Sequence, residues 1–97
     1  MELRHLRYFI AAAEEEHFGR ASDRLHVTRP AVSQIIADLE EEISTQLFER
    51  LAHRVKLTAA GRSLLPQLQA VMAQLGEALV QTKRVGEGKS GSLNIGY

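Results

Sequence analysis

Residues 27–36 read VTRPAVSQII, a stretch in which Val32, Ile35 and Ile36 claim one face of a helix and leave Arg29, Ser33 and Gln34 on the other. Those polar types suit the edges of base pairs. A Gln amide pairs bidentately with adenine and an Arg guanidinium with guanine, while a Ser hydroxyl reaches base edges or phosphate. Ala31 and the ring of Pro30 suit contact with thymine methyl groups. The chemistry on offer is recognition of a DNA major groove.

Such a face needs a frame to present it. Ala21, Leu25, Val27, Val32 and Ile35 have the spacing of two helices joined by a tight turn at a steep angle. Ala21 is small where the second helix crosses, Val27 fills the corner, and Val32 and Ile35 close the other side. This is the spacing of a helix-turn-helix. Two-helix turns also occur in ordinary helical domains, so spacing alone leaves both open.

The rest of the chain supplies the other elements. Leu3, Leu6, Phe9, Ile10 and Ala13 predict a first helix over 3–16 with those residues inward and Gly19 as the breaker beyond it. A short second helix covers 19–26. Thr28 caps a third helix that runs to about residue 43, with Pro30 in its first turn, and Val32, Ile35, Ile36, Leu39 and Ile43 form its apolar face. Residues 47–58 alternate as a short hairpin, LFER and VKLT around a loop beginning LAH, with Arg54 and His53 near its tip. A basic hairpin after a helix-turn-helix is a wing, placed to lie over the neighbouring minor groove.

Thr58 begins a long helix. Leu64, Leu68, Val71, Leu75 and Leu79 form a stripe of near-heptad spacing, Pro66 predicts a kink or loose first turn, and Gly76 weakens the helix by about 1 kcal/mol relative to Ala. The stripe either packs on the same chain or pairs with a second copy, and five large apolar residues on an otherwise exposed helix favour the pair. GEGKSG at 86–91 reads as a linker, and SLNIGY begins an alternating strand pattern, as the first strand of a further domain would.

Composition narrows the function. The 97 residues hold no Cys, which excludes disulfides and thiolate metal sites and suits a reducing cytoplasm. Aromatics are 5%, so the core is expected from Leu, Val, Ile and Ala, and therefore mainly helical. Net charge is zero, but residues 50–62 carry Arg50, Arg54, Lys56 and Arg62 without an acid, and 37–49 carry Asp38, Glu40, Glu41, Glu42 and Glu49 without a base. Folding can segregate these into a basic surface. His5, His17, His26 and His53 are scattered and predict packing or surface roles; no metal or cofactor is expected. The Glu runs at 14–16 and 40–42 read as solvated faces. No apolar run approaches the roughly 20 residues a membrane span needs. No nucleophile with a base and no phosphate loop stands out, so an enzyme is not expected. A winged-helix module for protein–protein interaction is the alternative, distinguished by weak salt dependence.

Taken together, LRHLRYFIAAAEEEHFGRASDRLHVTRPAVSQIIADLEEEISTQLFER followed by VKLTAAGRSLL resembles the N-terminal domain of LysR-type transcriptional regulators over nearly the whole chain. The resemblance implies a mainly α fold: a winged helix-turn-helix of three helices and a two-stranded wing over 1–58, a linker and dimerisation helix over 59–87, and the hinge and first strand of an effector-binding domain over 88–97. It implies DNA contact by Thr28, Arg29, Pro30, Ala31, Ser33 and Gln34, and by Arg50 and Arg54 on the backbone and phosphates; Lys56, in the same basic run, is expected to join them. It implies a homodimer through Leu64, Leu68, Val71, Leu75 and Leu79, reading an interrupted inverted repeat in double-stranded DNA. A higher oligomer in the intact protein, a small-molecule inducer on the further domain, and action on catabolic genes in the cytoplasm, at the nucleoid, also follow from it. Gln is common in the family at the place of Arg29, and Arg at the place of Gln34. The two types are exchanged here, so no operator sequence carries over.

Overall fold

Three phenylalanines at sequence positions 9, 18 and 48 meet at one point, and the chain is folded around them. The structure, a computed structural model, describes residues 1–88. Its elements are α1 (Leu3–Glu15), α2 (Phe18–Leu25), α3 (Arg29–Glu42), β1 (Phe48–Arg50), β2 (Val55–Leu57) and α4 (Ala59–Gly86). Phe9 and Phe48 have ring centroids 5.5 Å apart, and Phe18 meets Phe48 edge-on at 5.6 Å. Val32, Ile36, Leu39, Leu47 and Val55 close around them, all buried. The scarcity of aromatics thus misleads: all three phenylalanines sit at the centre.

Helix α1 is central. Ala11, Ala12 and Ala13 are buried in succession, which a one-sided helix does not allow, because α2, α3 and α4 all pack against it. The expected inward face is corrected accordingly: Leu3 is exposed, Leu6 and Ile10 are half-buried, and His5 is buried with Nδ1 accepting the Glu2 N–H at 3.0 Å. Gly19 is not the breaker. Glu16 ends α1 in the left-handed conformation (φ 54°), and His17 caps α2, so Gly19 lies inside α2. Ile43, expected on the apolar face of α3, is its exposed C-terminal cap.

The turn between α2 and α3 is held by its backbone. Val27 N–H donates to Ser22 O (3.0 Å), and His26 takes a left-handed conformation. Thr28 Oγ1 then accepts the Ala31 N–H (3.3 Å) and starts α3. The hairpin pairs Phe48 with Leu57, Glu49 with Lys56 and Arg50 with Val55.

Two acidic runs do more than face solvent. Glu40 Oε2 accepts both the Leu47 N–H (2.7 Å) and the Phe48 N–H (3.1 Å), tying α3 to the start of the wing. Glu14 accepts from Arg24 Nη2 (2.7 Å) on α2 and from Gln69 Nε2 (2.7 Å) on α4. The Arg24 hydrogen bond, aided by Gln69, holds the Glu14 carboxyl below its ordinary pKa.

Helix α4 runs unbroken past Pro66. It lies against the hairpin at Gly61, where a Cβ would stand 2.4 Å from the Leu47 carbonyl oxygen and 2.7 Å from Leu57 Cδ2. The stripe divides. Leu64, Leu65 and Leu68 pack on the core of their own chain, whereas Val71 and Leu79 are exposed and Leu75 is half-buried. Gly88 ends the described residues, and the strand expected over 92–97 lies outside them.

Candidate nucleic-acid interface

Helix α3 is fixed by its buried side and free along the other. Val32, Ile36 and Leu39 are fully buried, while Thr28, Arg29, Pro30 and Gln34 are exposed and Ala31 and Ser33 half-buried. Pro30 in the first turn costs no helical hydrogen bond. The six residues therefore share the N-terminal end of one helix, open to a ligand.

Their side chains differ in freedom. Arg29 has neither an acid partner nor a hydrogen bond among the described residues. Gln34 Nε2 donates to Asp38 Oδ1 one turn on (2.9 Å), leaving its carbonyl oxygen and second amide hydrogen available. Thr28 is occupied as the cap.

The wing joins this surface through Arg50. Its Nη2 donates to Ser33 Oγ (3.1 Å), and its Cζ lies 4.9 Å from the centre of the Phe18 ring. Arg54 is less free than a wing-tip cation would be. Its Nη1 lies 3.3 Å from Glu16 Oε1, and the Val55 N–H donates to Glu16 O (3.1 Å), so the hairpin end is drawn onto the end of α1. Both partners of that ion pair are more than half exposed, and such a pair contributes little to stability. Lys56 is exposed on the second wing strand, where it stands opposite Glu49 in the register of the hairpin.

Between α2, α3 and the wing lies a cleft of about 440 Å³ lined by His17, Phe18, Arg29, Arg50, the 51–54 loop and Val55. No carboxylate is in the lining. The neutral chain thus does concentrate positive charge at one place, beside the free face of α3. The fold brings Arg29, Ser33, Arg50 and Arg54 together on this surface, and places beside them His17 and Phe18, which the spacing did not single out. A signal for His17 was present: it stands three residues before Arg20, the spacing of a cap to the N–H it accepts.

Among the described residues no group of three or more His, Asp or Glu is arranged to hold a metal ion, and no helix is long and apolar enough to cross a membrane.

Known proteins are similar to this chain in sequence and in fold. The chain is 43% identical over its whole length to YnfL of Escherichia coli K12, an uncharacterised HTH-type transcriptional regulator, and 46% identical to the HTH-type transcriptional regulator AlsR of Bacillus subtilis 168. It spans about a third of the length of both, 33% and 32%. The crystal structure of the BenM DNA-binding domain with catB site 1 DNA superposes with a TM-score of 0.88 at 39% identity, covering 92% of this chain and 96% of that one. Residues 3–62, from the first turn of α1 to the first turn of α4, match the family model described as bacterial regulatory helix-turn-helix protein, lysR family. With its helix-turn-helix, its wing and its long fourth helix in that order, the chain belongs to the lysR family of bacterial regulatory proteins.

Proposed function

We propose that this chain is the DNA-reading part of a transcription regulator. Helix α3 enters the major groove of double-stranded DNA, with Arg29 and Gln34 on base edges, Pro30 and Ala31 against methyl groups, and Thr28 and Ser33 on the backbone. Arg50, Arg54 and Lys56 meet phosphates and the adjacent minor groove. The observation that carries this is the end of α3: a free guanidinium and an amide stand exposed beside an acid-free cationic cleft, on a helix locked by its opposite face. The DNA complex of the similar BenM domain supports it.

Residues 1–58 form the reading unit and 59–87 the dimerisation helix. Two copies pair through Val71, Leu75 and Leu79, and each α3 takes one half-site of an interrupted inverted repeat. Residues 88–97 lead into a further domain that binds a small-molecule inducer, in a protein that assembles beyond the dimer and controls catabolic genes at the nucleoid.

Selection from a random duplex pool tests the proposal. An enriched inverted repeat is expected, with half-sites about one helical turn or a multiple apart. Binding should weaken with a log–log salt slope of about −0.9 per phosphate contact. A pool that stays random, with salt-insensitive binding, removes the proposal.

A further inference from the structure

His17 caps α2 by accepting the Arg20 N–H on Nδ1 at 3.0 Å. An imidazole that accepts at Nδ1 is neutral and carries its proton on Nε2. That Nε2–H has no partner among the described residues. The ring lines the cationic cleft and lies over Gly19, where a Cβ would come 2.8 Å from its Cε1 and 3.1 Å from its Nδ1. The same position is 3.6 Å from Arg29 Cζ. The absence of a side chain at Gly19 therefore makes room for the His17 ring, with the Arg29 guanidinium at contact distance from the same spot.

We propose that the cleft seats one phosphate of the DNA backbone, and that His17 donates its Nε2–H to it beside the guanidinium of Arg50. This rests on the DNA-binding reading and names a contact within it. The geometry asks for an anionic acceptor. Three arginines and two imidazoles line the cleft, and Glu16, the carboxylate paired with Arg54, is not in the lining. Protonation at Nδ1 is incompatible with the cap, so His17 acts as a neutral donor. It adds a hydrogen bond without neutralising charge. Its signature differs from that of an arginine: affinity falls when it is removed, but the number of counterions released does not.

His17→Ser keeps an N-cap acceptor and deletes the donor. With the 97-residue chain, two duplexes are compared: one enriched from a random pool and one of random sequence. The variant should melt at the wild-type temperature, bind both duplexes about three- to tenfold more weakly, and show an unchanged salt slope. His17→Asn, also a strong cap, should do the same if the serine variant folds poorly. Methylphosphonate placed at successive phosphates should weaken the wild type more than it weakens His17→Ser at one position per half-site. Wild-type affinity in both variants, or additive losses at every phosphate, overturns the contact and leaves DNA binding standing. Absence of DNA binding by the wild type overturns both. Inorganic phosphate is the remaining probe: no saturable shift of the His17 ring nitrogens is expected, and saturation without DNA would mark a free-anion site instead of a backbone seat.

Discussion

Arg50 on the first wing strand and Ser33 on α3 are joined by one hydrogen bond of 3.1 Å, with the guanidinium stacked on Phe18. The wing is thereby set against the recognition helix before any ligand arrives. Lysine has neither the planar fork nor the stacking face. Arg50→Lys should lower stability by about 0.5–1 kcal/mol and weaken binding to all DNA sequences, as denaturant titration and binding assays will read. An unchanged protein would mean the stacked geometry contributes nothing.

Arg29 and Gln34 are assigned to bases. Alanine at either should cost about 1–3 kcal/mol on an enriched operator and relax base preference at one position. Equal loss on operator and random DNA would reassign them to the backbone.

Asp38 holds Gln34 and adds a carboxylate one turn further along the same side of α3. Asp38→Ala should tighten binding to random DNA by removing repulsion, while lowering discrimination at the base read by Gln34. Repeating the selection with this variant measures both.

Two glycines of α4 should respond oppositely. At Gly61 an added Cβ meets the Leu47 backbone, which cannot rotate away, and Gly61→Ala should destabilise by about 1–3 kcal/mol. At Gly76 nothing lies within 4 Å, and Gly76→Ala should stabilise by up to about 1 kcal/mol. Thermal melts of the two variants decide.

Glu14 gives a pH dependence. Its carboxyl is held below the ordinary value of 4.5, chiefly by Arg24. A carboxylate depressed in the folded state stabilises fully above its unfolded pKa and loses that contribution as pH falls through the folded one. The stability difference between wild type and Glu14→Gln should therefore be constant near neutrality and shrink as pH drops below about 4.5. A difference that persists in acid would show that charge is not what matters there.

The divided stripe of α4 makes a further distinction. Leu75→Glu with Leu79→Glu should leave a folded monomer in sedimentation, whereas Leu68→Glu should unfold part of the domain, since Leu68 packs on the core. A persisting dimer in the double variant would move the interface elsewhere.

Elements set by local chemistry were legible in the chain. The Thr28 and Thr58 caps, the apolar spacing of α3 and the alternation around Lys56 fix α3, α4 and the wing within a residue or two. What periodicity does not carry is the identity of neighbours. A central helix is buried on several sides, so the inward face of α1 did not follow from a single stripe. The roles of Glu14, Glu40 and Gly61 depend on partners 55, 7 or 8, and 14 residues away respectively, and no local pattern announces them. At the site, arginines were readable by type. His17 was readable at most as a cap, because a cap and a ligand donor are the same residue seen from two nitrogens.

Among the described residues, helix α4 packs on the core through Leu64, Leu65 and Leu68 of its early turns, and Gln69 on Glu14 is its outermost hydrogen bond to another element. Beyond Gln69 it continues for 17 residues to Gly86, about 26 Å at the helical rise of 1.5 Å per residue. Mechanically this is a boom on a short mount. A tilt of about 10° at the mount moves the far end by roughly 4–5 Å, close to one helical turn. The mount is shared: the carboxylate of Glu14 that receives Gln69 of the boom also receives Arg24 of α2, the first helix of the helix-turn-helix.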